Sequence, residues 1–269
     1  MEVGQPSRTA LAVARARAQH QTLDDPRVFT DPIATRIVAG TEPTGEFDRG
    51  VDAEAARVRR LTIAARSRFA DDRVAAAVAG GTRQVVVLGA GLDTAAYRNP
   101  HPDVRYVEVD HPDTQAWKRN RLREAGIEVP PTLTFAPVDF ERATLADGPA
   151  AAVLDRAADT VFVWLGVIVY LPRAAIDDTL GYIAGRKADL VFDYPVPPSP
   201  EVCARAERVA AAGEPWLSYF TADEMRTLLE GFGFTLLEDR PAGELLGEYG
   251  APTAHPIGSG IRLVHAATR

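Results

Sequence analysis

The sequence predicts a doubly wound α/β fold, in which helices cover both faces of a mostly parallel sheet of seven strands. Short apolar runs, rich in valine, leucine and aromatic residues, alternate with longer segments of helical periodicity. Such runs are typical of parallel strands that are buried on both faces. The first run, at 84–88, ends in two closely spaced glycines. With 269 residues and 46% hydrophobic content, the chain is long enough for one large core with additions.

Helices are predicted throughout the region that precedes the first strand. Their ranges are 7–23, 32–39 and, after a loop at 41–50, 52–79, the last as two helices that break near Asp71 and Asp72. The arginines of the first helix, Arg15 and Arg17, are predicted on its solvated face. Because this region precedes the sheet, it can fold over the strand ends. We therefore divide the chain into an N-terminal helical lid at 1–80 and a core at 81–269.

The glycine turn is the first indication of a ligand. Gly89-Ala90-Gly91 follows the first strand directly and allows a tight turn with close backbone approach. A second apolar run ends in Asp110, where a carboxylate can hydrogen-bond both ribose hydroxyls of an adenosine. This combination predicts a nucleoside-type cofactor. The alternative is a plain strand, turn and helix, with Asp110 as the N-cap of the helix that Pro112 opens.

A third strand, at 132–138, ends in Asp139 and Phe140. The carboxylate could accept a hydrogen bond from an adenine amino group while the ring packs on the base. The alternative is an Asp139 that caps a loop and a Phe140 that belongs to the core. Because an acidic residue also ends the second strand, the adenine interpretation is favoured.

The turn also distinguishes between cofactors. NAD sites usually have a third glycine, which brings the helix close to the strand and the diphosphate to its N-terminus. Thr94 occupies that position here. A P-loop is excluded because no lysine and hydroxyl pair follows the glycines. An adenosine cofactor without a diphosphate is therefore predicted, namely S-adenosylmethionine, and the alternative is an NAD-dependent oxidoreductase or epimerase.

The second half of the sheet is predicted from strands at 160–165 and 190–194 and from an antiparallel closing pair at 232–238 and 261–266. Helices are predicted at 111–125, 173–185 and 222–229, with one or two short helices within 142–158. The basic run of the helix at 111–125, which includes Lys118, is predicted as a solvated face. An insertion near 195–220, proline-rich at its start and helical at 201–212, is placed where it could cover a substrate.

Four aromatic residues are candidates for contact with a substrate. In open α/β sheets, ligands bind beyond the carboxyl ends of the strands. The aromatic residues expected near that edge are Trp164, Tyr170, Tyr194 and Trp216. Each of them could equally pack in the core or in a lid.

The composition limits the other classes of function. A formal net charge of −7 argues against a nucleic-acid-binding surface and favours a small-molecule acceptor. A single cysteine, Cys203, excludes an internal disulfide and a cysteine-cluster zinc site, and no metal is predicted. No apolar run is as long as a membrane span, and no apolar signal segment is found at the N-terminus. A cytoplasmic protein without a membrane partner is expected; the sequence carries no signal for an oligomeric state.

These motifs together resemble the leucine carboxyl methyltransferase-like family of S-adenosylmethionine-dependent methyltransferases, which have a Rossmann-like methyltransferase sheet. The resemblance covers nearly the whole chain, and the pair GAGLDT at 89–94 and VDHP at 109–112 is its specific part. The other matching segments are SRTA at 7–10, AARSRF at 64–69, YR at 97–98, VDF at 138–140 and YLP at 170–172.

The resemblance implies a set of cofactor contacts. They are Arg66 for the methionine carboxylate, Gly89, Ala90 and Gly91 below the methionine and ribose, Asp110 for the ribose hydroxyls, His111 packed beside them, and Asp139 with Phe140 around the adenine. From the residues alone, a solvated Arg66 is the alternative. Leu165, also in the expected cofactor site, stands where the family commonly has a glutamate. Ala95 stands where the family commonly has an arginine directly after the GLDT motif at 91–94. The first departure removes a polar contact with the cofactor, and both weaken the case for a protein C-terminal carboxylate as substrate.

The predicted function is an S-adenosylmethionine-dependent O-methyltransferase for a small molecule. Methyl transfer from a sulfonium is an in-line displacement, so the enzyme has to hold nucleophile, methyl group and sulfur in line. A carboxylate is already ionised at neutral pH and needs no base, whereas a hydroxyl needs one. No base is obvious, which favours a carboxylate acceptor, and no catalytic residue is assigned. Because of Leu165 and Ala95, a catalytically silent cofactor-binding module is a further alternative.

Overall fold

The computed structural model arranges seven strands in one sheet with helices on both faces. It describes residues 7–41, 52–140, 143–146, 149–197, 203, 206–207, 209–210, 213–251 and 260–268. The strands are β1 Gln84–Leu88, β2 Arg105–Asp110, β3 Leu133–Pro137, β4 Thr160–Trp164, β5 Ala188–Pro195, β6 Thr235–Pro241 and β7 Ile261–Ala267.

Helices precede the sheet and connect its strands. Within the described residues they are α1 Arg8–Leu23, α2 Ala34–Ile37, α3 Ala53–Ala79, α4 Ala95–Arg98, α5 Pro112–Glu124, α6 Pro149–Val153, α7 Arg173–Ala184, α8 Ala222–Gly231 and α9 Ala242–Glu248, with a 3-10 turn at Ile168–Tyr170. Ser7 caps α1, because its hydroxyl accepts a hydrogen bond from the Ala10 N–H at 3.2 Å. None of these helices is both long and apolar enough to cross a bilayer.

The strand order is β3-β2-β1-β4-β5-β7-β6. The first five strands pair in parallel, and β7 is antiparallel to both β5 and β6. The predicted doubly wound, mostly parallel sheet and its antiparallel closing pair are thus confirmed. The order reverses between β1 and β4, and in folds of this class ligands bind at that crevice.

Alternate residues of each strand enter two separate apolar layers. Leu88, Phe162 and Phe192 belong to the layer that also contains the apolar faces of α7 and α8. Their immediate neighbours Val87, Val163 and Val191 belong to the layer that contains Phe69 of α3 and Leu245 of α9. Because both faces of the sheet are covered, its strands could be recognised as continuous apolar runs.

Two predicted elements differ clearly from the observed ones, and one observed helix was not predicted. The region 52–79 is one 27-residue helix, α3, and not two. Neither a proline nor a glycine interrupts it, and its two mid-helix acids are paired, Asp71 with Arg98 and Asp72 with Arg68. Strand β6 begins at Thr235, later than predicted, because the chain first leaves α8 through a turn at Gly233. Helix α9 was not predicted.

Part of the predicted elements lies outside the described residues. This holds for most of the loop at 41–50 and for parts of 142–158, of the proline-rich stretch and of the helix at 201–212. Positions 203, 206–207 and 209–210 are helical.

Candidate active site

A cavity of about 1170 Å³ opens at the carboxyl edge of the sheet, where β1 and β4 lie side by side. Its walls come from α1, from the turns that follow β1 to β5, and from residues 213–217. Pockets for one small molecule usually measure about 300–1,000 Å³. This cavity is therefore large enough for a cofactor and a second molecule.

The turn after β1 forms one wall of the cavity and brings bare backbone to its surface. Gly89 has a φ of +62°, and a Cβ there would lie 2.3 Å from a methyl carbon of Val167. A side chain at this position would be strained and would also clash. The Ala90 N–H donates to the Val109 carbonyl at 3.1 Å, which ties the turn to β2.

Asp110, the last residue of β2, is held on the same wall. One of its carboxylate oxygens accepts a hydrogen bond from the Gly91 N–H, and the other accepts one from the backbone N–H of its neighbour His111 at 2.6 Å. Burial raises the pKa of the Asp110 carboxyl above its ordinary value, although these two backbone donors act in the opposite direction. The carboxylate lines the cavity directly beside the glycine turn.

His111 and Asp139 extend this wall towards β3. The His111 ring caps α5, because its Nδ1 accepts a hydrogen bond from the Asp113 N–H at 3.2 Å. Its Nε2 lies 3.8 Å from a carboxylate oxygen of Asp139. Asp139, Phe140 and His111 all line the cavity. The acidic ends of β2 and β3 therefore face one space, as the sequence pattern predicted.

Arg66 of α3 reaches the opposite wall, beside β4. Its guanidinium donates to Asp193 at 3.2 Å, and the other carboxylate oxygen of Asp193 accepts from the Gly166 N–H at 2.5 Å. Leu165, between Trp164 and Gly166, also lines the cavity and places an apolar side chain there. The sequence reasoning missed Asp193, although its position at the carboxyl end of β5 matches that of Asp110 in β2.

The four aromatic candidates separate into two groups. Tyr170 and Trp216 line the cavity, together with Val169 and Leu217. Trp164 and Tyr194 are fully buried in the apolar core and do not line it, so their expected contact with a substrate was wrong. Residue alternation explains both corrections, because the two side chains point into the apolar layer beneath α7 and α8.

Two residues at the contact of α1 with the rest of the molecule were not assigned from the sequence. Arg17 was expected in solvent but is buried, and its guanidinium donates to the Leu92 carbonyl in the glycine turn. Glu214 accepts hydrogen bonds from the Arg8 N–H at 2.9 Å and from the hydroxyls of Ser7 and Thr9. Glu214 lies more than 200 positions from these partners, so no local pattern could have revealed the contact.

Lys118 is a further correction, because it was predicted in solvent and is fully buried behind the glycine turn. Its ammonium donates to Glu108 at 2.6 Å and to the Asp93 carbonyl at 2.7 Å. Burial raises the pKa of Glu108, and Lys118 counteracts that shift. The pair thus supports the glycine turn from below.

The fold and this site define a class of α/β proteins that bind an adenosine cofactor at the crevice between β1 and β4. The comparison with known families narrows the class. The chain belongs to the leucine carboxyl methyltransferase family, whose model matches residues 10–184.

Two relatives match over most of their length. The provisionally named S-adenosyl-L-methionine-dependent methyltransferase YktD of Bacillus subtilis (strain 168) is 30% identical over 88% of this chain and 89% of its own. A protein of Frankia alni with the same provisional description, FRAAL3718, is 34% identical over 92% of this chain and 88% of its own. In fold, the chain resembles a crystal structure from Thermobifida fusca YX, provisionally described as a methyltransferase, with a TM-score of 0.65 and 16% identity over 100% of this chain and 97% of that one.

The chain is accordingly an S-adenosylmethionine-dependent methyltransferase, and the site's residues fit that cofactor. The bare glycine turn and the Asp110 carboxylate suit an adenosine. Thr94, at the third-glycine position, is buried and donates to Asp31 at 2.6 Å. The helix after the turn, α4, has only four residues, so it offers no long helix N-terminus for a diphosphate. An NAD-dependent oxidoreductase is therefore not supported, and neither is a catalytically silent module.

Proposed function

We propose that this methyltransferase transfers a methyl group to an oxygen of a small, largely apolar molecule, and that the acceptor oxygen belongs to a carboxylate. The main support is one continuous cavity that combines three kinds of lining. Bare backbone and acidic residues follow β1 to β3, Arg66 and Asp193 lie beside β4, and Tyr170, Trp216 and aliphatic side chains supply apolar surface. Its volume accommodates an acceptor beside the cofactor.

The proposed cofactor contacts follow the family resemblance, and the geometry supports them. Asp110 is oriented by two backbone donors so that it can accept hydrogen bonds from ribose hydroxyls. The other contacts that we propose are Arg66 with the methionine carboxylate, Gly89, Ala90 and Gly91 along the methionine and ribose, His111 and Leu165 in packing, and Asp139 with Phe140 at the adenine. All of them line the same cavity.

The helices up to residue 80 are proposed to act as the lid of this cavity, over a core that starts at 81. Helix α1 supplies Ala10, Val13 and Arg17 to the cavity wall. The hydrogen bonds of Glu214 join the start of α1 to the insertion near 195–220. Such a closure would exclude water from the reacting groups.

The acceptor chemistry follows from what the residues would have to do. S-adenosylmethionine supplies an activated methyl group on a sulfonium, and the protein has to align the attacking oxygen with it. A carboxylate oxygen needs no base. Among the described residues that line the cavity, His111 is the one histidine, and its ring is engaged with Asp113 and beside Asp139. This arrangement favours a carboxylate over a hydroxyl, which would require proton removal.

A panel of small carboxylic acids, phenols, alcohols and amines, incubated with cofactor carrying an isotope-labelled methyl group, tests the proposal. We expect label in the products of apolar acids. Mild alkali should release labelled methanol from them, because methyl esters hydrolyse and methyl ethers do not. Label that resists alkali would contradict the carboxylate assignment, and label on nitrogen would contradict O-methylation.

The ribose contact is tested by calorimetric titration with S-adenosylhomocysteine. Asp110→Ala should weaken binding severely, because two hydroxyl hydrogen bonds to a charged acceptor are lost. Asp113→Ala, which removes a neighbouring carboxylate that contacts no ribose in this scheme, is the matched control. Equal affinity of Asp110→Ala and wild type would contradict the ribose assignment.

A further inference from the structure

Asp193 joins three separate elements at the cavity wall. It lies in β5, accepts a hydrogen bond from the backbone of Gly166 after β4, and pairs with Arg66 of α3. The Asp193 side chain is 5% exposed and the Arg66 side chain 14% exposed. The carboxylate is thus nearly buried, whereas the guanidinium keeps access to the cavity.

Gly166 makes this arrangement possible. It has a φ of +69°, and a Cβ there would lie 2.9 Å and 3.1 Å from the two terminal nitrogens of Arg66. The guanidinium therefore lies against the bare backbone of the turn, in space that any side chain would fill. Leu165, the preceding residue, supplies no charge, so the acidic partner of Arg66 comes from the neighbouring strand.

We propose that Asp193 is a positioning residue, which fixes Arg66 against the Gly166 turn so that its remaining N–H groups face the amino-acid end of the cofactor. This inference rests on the proposed contact between Arg66 and the methionine carboxylate. An arginine side chain has several rotatable bonds, and ordering it only when the ligand binds would reduce affinity. The pair with Asp193 orders it beforehand.

The direct electrostatic effect of Asp193 on the ligand is expected to be small. The methionine portion carries both an ammonium and a carboxylate, and their interactions with the nearly buried Asp193 charge have opposite signs and partly cancel. The positional effect on Arg66 should therefore dominate.

Two ligands separate this role from a general structural one. S-adenosylhomocysteine contains the amino-acid end, whereas 5′-methylthioadenosine keeps the adenosine and sulfur but lacks that end. Both are titrated calorimetrically into wild type, Arg66→Gln, Asp193→Asn and the double variant. The amide introduced by Asp193→Asn keeps an oxygen that can accept from Gly166, so this variant mainly tests the pair with Arg66.

We expect each single variant to lose roughly tenfold in affinity for S-adenosylhomocysteine, with the double variant close to the singles because one contact is shared. Affinity for methylthioadenosine should change less than about twofold. Asp72→Asn, which removes the partner of Arg68 on the same helix, should leave both affinities unchanged. Gly166→Ala is a second route to the same loss, since its added carbon displaces the guanidinium. Because the φ of +69° also strains an alanine, the free energy of unfolding of this variant is measured beside its affinities.

Equal losses for both ligands in Asp193→Asn would overturn the positioning role. The positioning role would also be overturned if Asp193→Asn bound S-adenosylhomocysteine as wild type does while Arg66→Gln bound it more weakly. That result would still support the contact between Arg66 and the methionine carboxylate. An unchanged affinity of Arg66→Gln for S-adenosylhomocysteine would overturn the contact between Arg66 and the methionine carboxylate, and with it the positioning role of Asp193. Label transfer in the acid panel is measured on wild type alone, so it reports on the proposed O-methylation independently of these outcomes.

Discussion

Two ion pairs at the carboxyl edge of the sheet have the same charges and different surroundings. Arg66 and Asp193 are 3.2 Å apart and face the cavity, with side chains 14% and 5% exposed. Lys118 and Glu108 are 2.6 Å apart behind the glycine turn, and each is 1% exposed. The first pair can contact a ligand in the cavity. The second pair cannot, and it can only support the backbone of the glycine turn, which lines the cavity. The position of an ion pair relative to the glycine turn therefore decides whether it can contribute to ligand binding or only to stability.

The two sides of the glycine turn should differ in which measured quantity a substitution changes. Substitutions in front of the turn, on the cavity side, should change cofactor affinity more than the free energy of unfolding. Substitutions behind it should change the free energy of unfolding and leave the affinity of the folded molecule nearly intact. Calorimetric titration with S-adenosylhomocysteine and denaturant unfolding report the two quantities.

The largest effect is expected from Lys118→Met, behind the turn. It leaves a buried, unpaired Glu108, and losing one partner of a buried pair costs about 3–5 kcal/mol of stability. Without the ammonium, the pKa of Glu108 is raised further by burial, so the folded state binds a proton more readily than the unfolded state. Stability therefore falls as pH rises, and the deficit should be smaller near about pH 5 than near about pH 7.5.

The double variant Glu108→Leu with Lys118→Met is the control for that prediction. It replaces the pair with apolar side chains, and such exchanges are often neutral or stabilising. In urea unfolding, the double variant should recover most of the free energy of unfolding that Lys118→Met loses. A double variant as unstable as Lys118→Met would mean that the contact with the Asp93 carbonyl, and not the buried charge, is decisive.

Gly89→Ala, in front of the turn, should have the next largest effect. Its Cβ would overlap Val167 and stand where we propose that the cofactor approaches, and we expect a loss of roughly tenfold or more in S-adenosylhomocysteine affinity. Gly126→Ala is the matched control, because its φ of +60° is equally strained but nothing lies within 4 Å of the added carbon. Similar affinities in the two variants would contradict the close approach.

Tyr194→Phe tests whether Tyr194, which is buried in the core, has any role in substrate binding. The Tyr194 hydroxyl donates to Asp239 at 2.8 Å, so its removal should cost about 1 kcal/mol in the free energy of unfolding. Because the ring does not line the cavity, affinity for S-adenosylhomocysteine and label transfer to the acceptor should be unchanged. A selective loss of transfer would restore Tyr194 as a substrate residue.

The smallest effect is a pH dependence of cofactor binding. A ribose-binding Asp110 must be ionised, and burial raises its pKa. The carboxylate therefore takes up a proton at a higher pH than an exposed aspartate, and the affinity falls on acidification. We expect a partial loss of affinity as the pH falls from about 7.5 to about 5. Asp110→Asn should bind weakly with a flat profile, and a sloping profile in that variant would assign the dependence to another group.

Local patterns predicted much of the front of the site. The glycine turn, Asp110 and Asp139 were found because parallel strands end at one edge, so acidic residues that follow successive apolar runs meet there. The same rule applies to Asp193, which ends an apolar run in β5 and was overlooked. Tyr170 and Trp216 were placed near the cavity only because their segments follow β4 and β5.

Charged residues on helices were less predictable. Arg17 and Lys118 were both expected in solvent, because a basic residue on a helix is usually hydrated. Their burial depends on partners in other elements, the Leu92 carbonyl for one and Glu108 for the other. Nothing in either helix identifies those partners. In the same way, Asp71 and Asp72 suggested a break in α3. The helix continues through them, and both acids are paired, Asp71 with the distant Arg98 and Asp72 with Arg68 of the same helix.

The sequence by itself determined the fold and the cofactor class, and it predicts the edge of the sheet where the cofactor binds, because strand burial, glycine turns and strand-end acids are encoded within short segments. Only the tertiary structure decided which charges face the cavity and which are enclosed, since that depends on contacts between residues such as Arg66 and Asp193, far apart in the chain. Burial and pairing are properties of the assembled layers, and the free energy of each charge is fixed only when they pack.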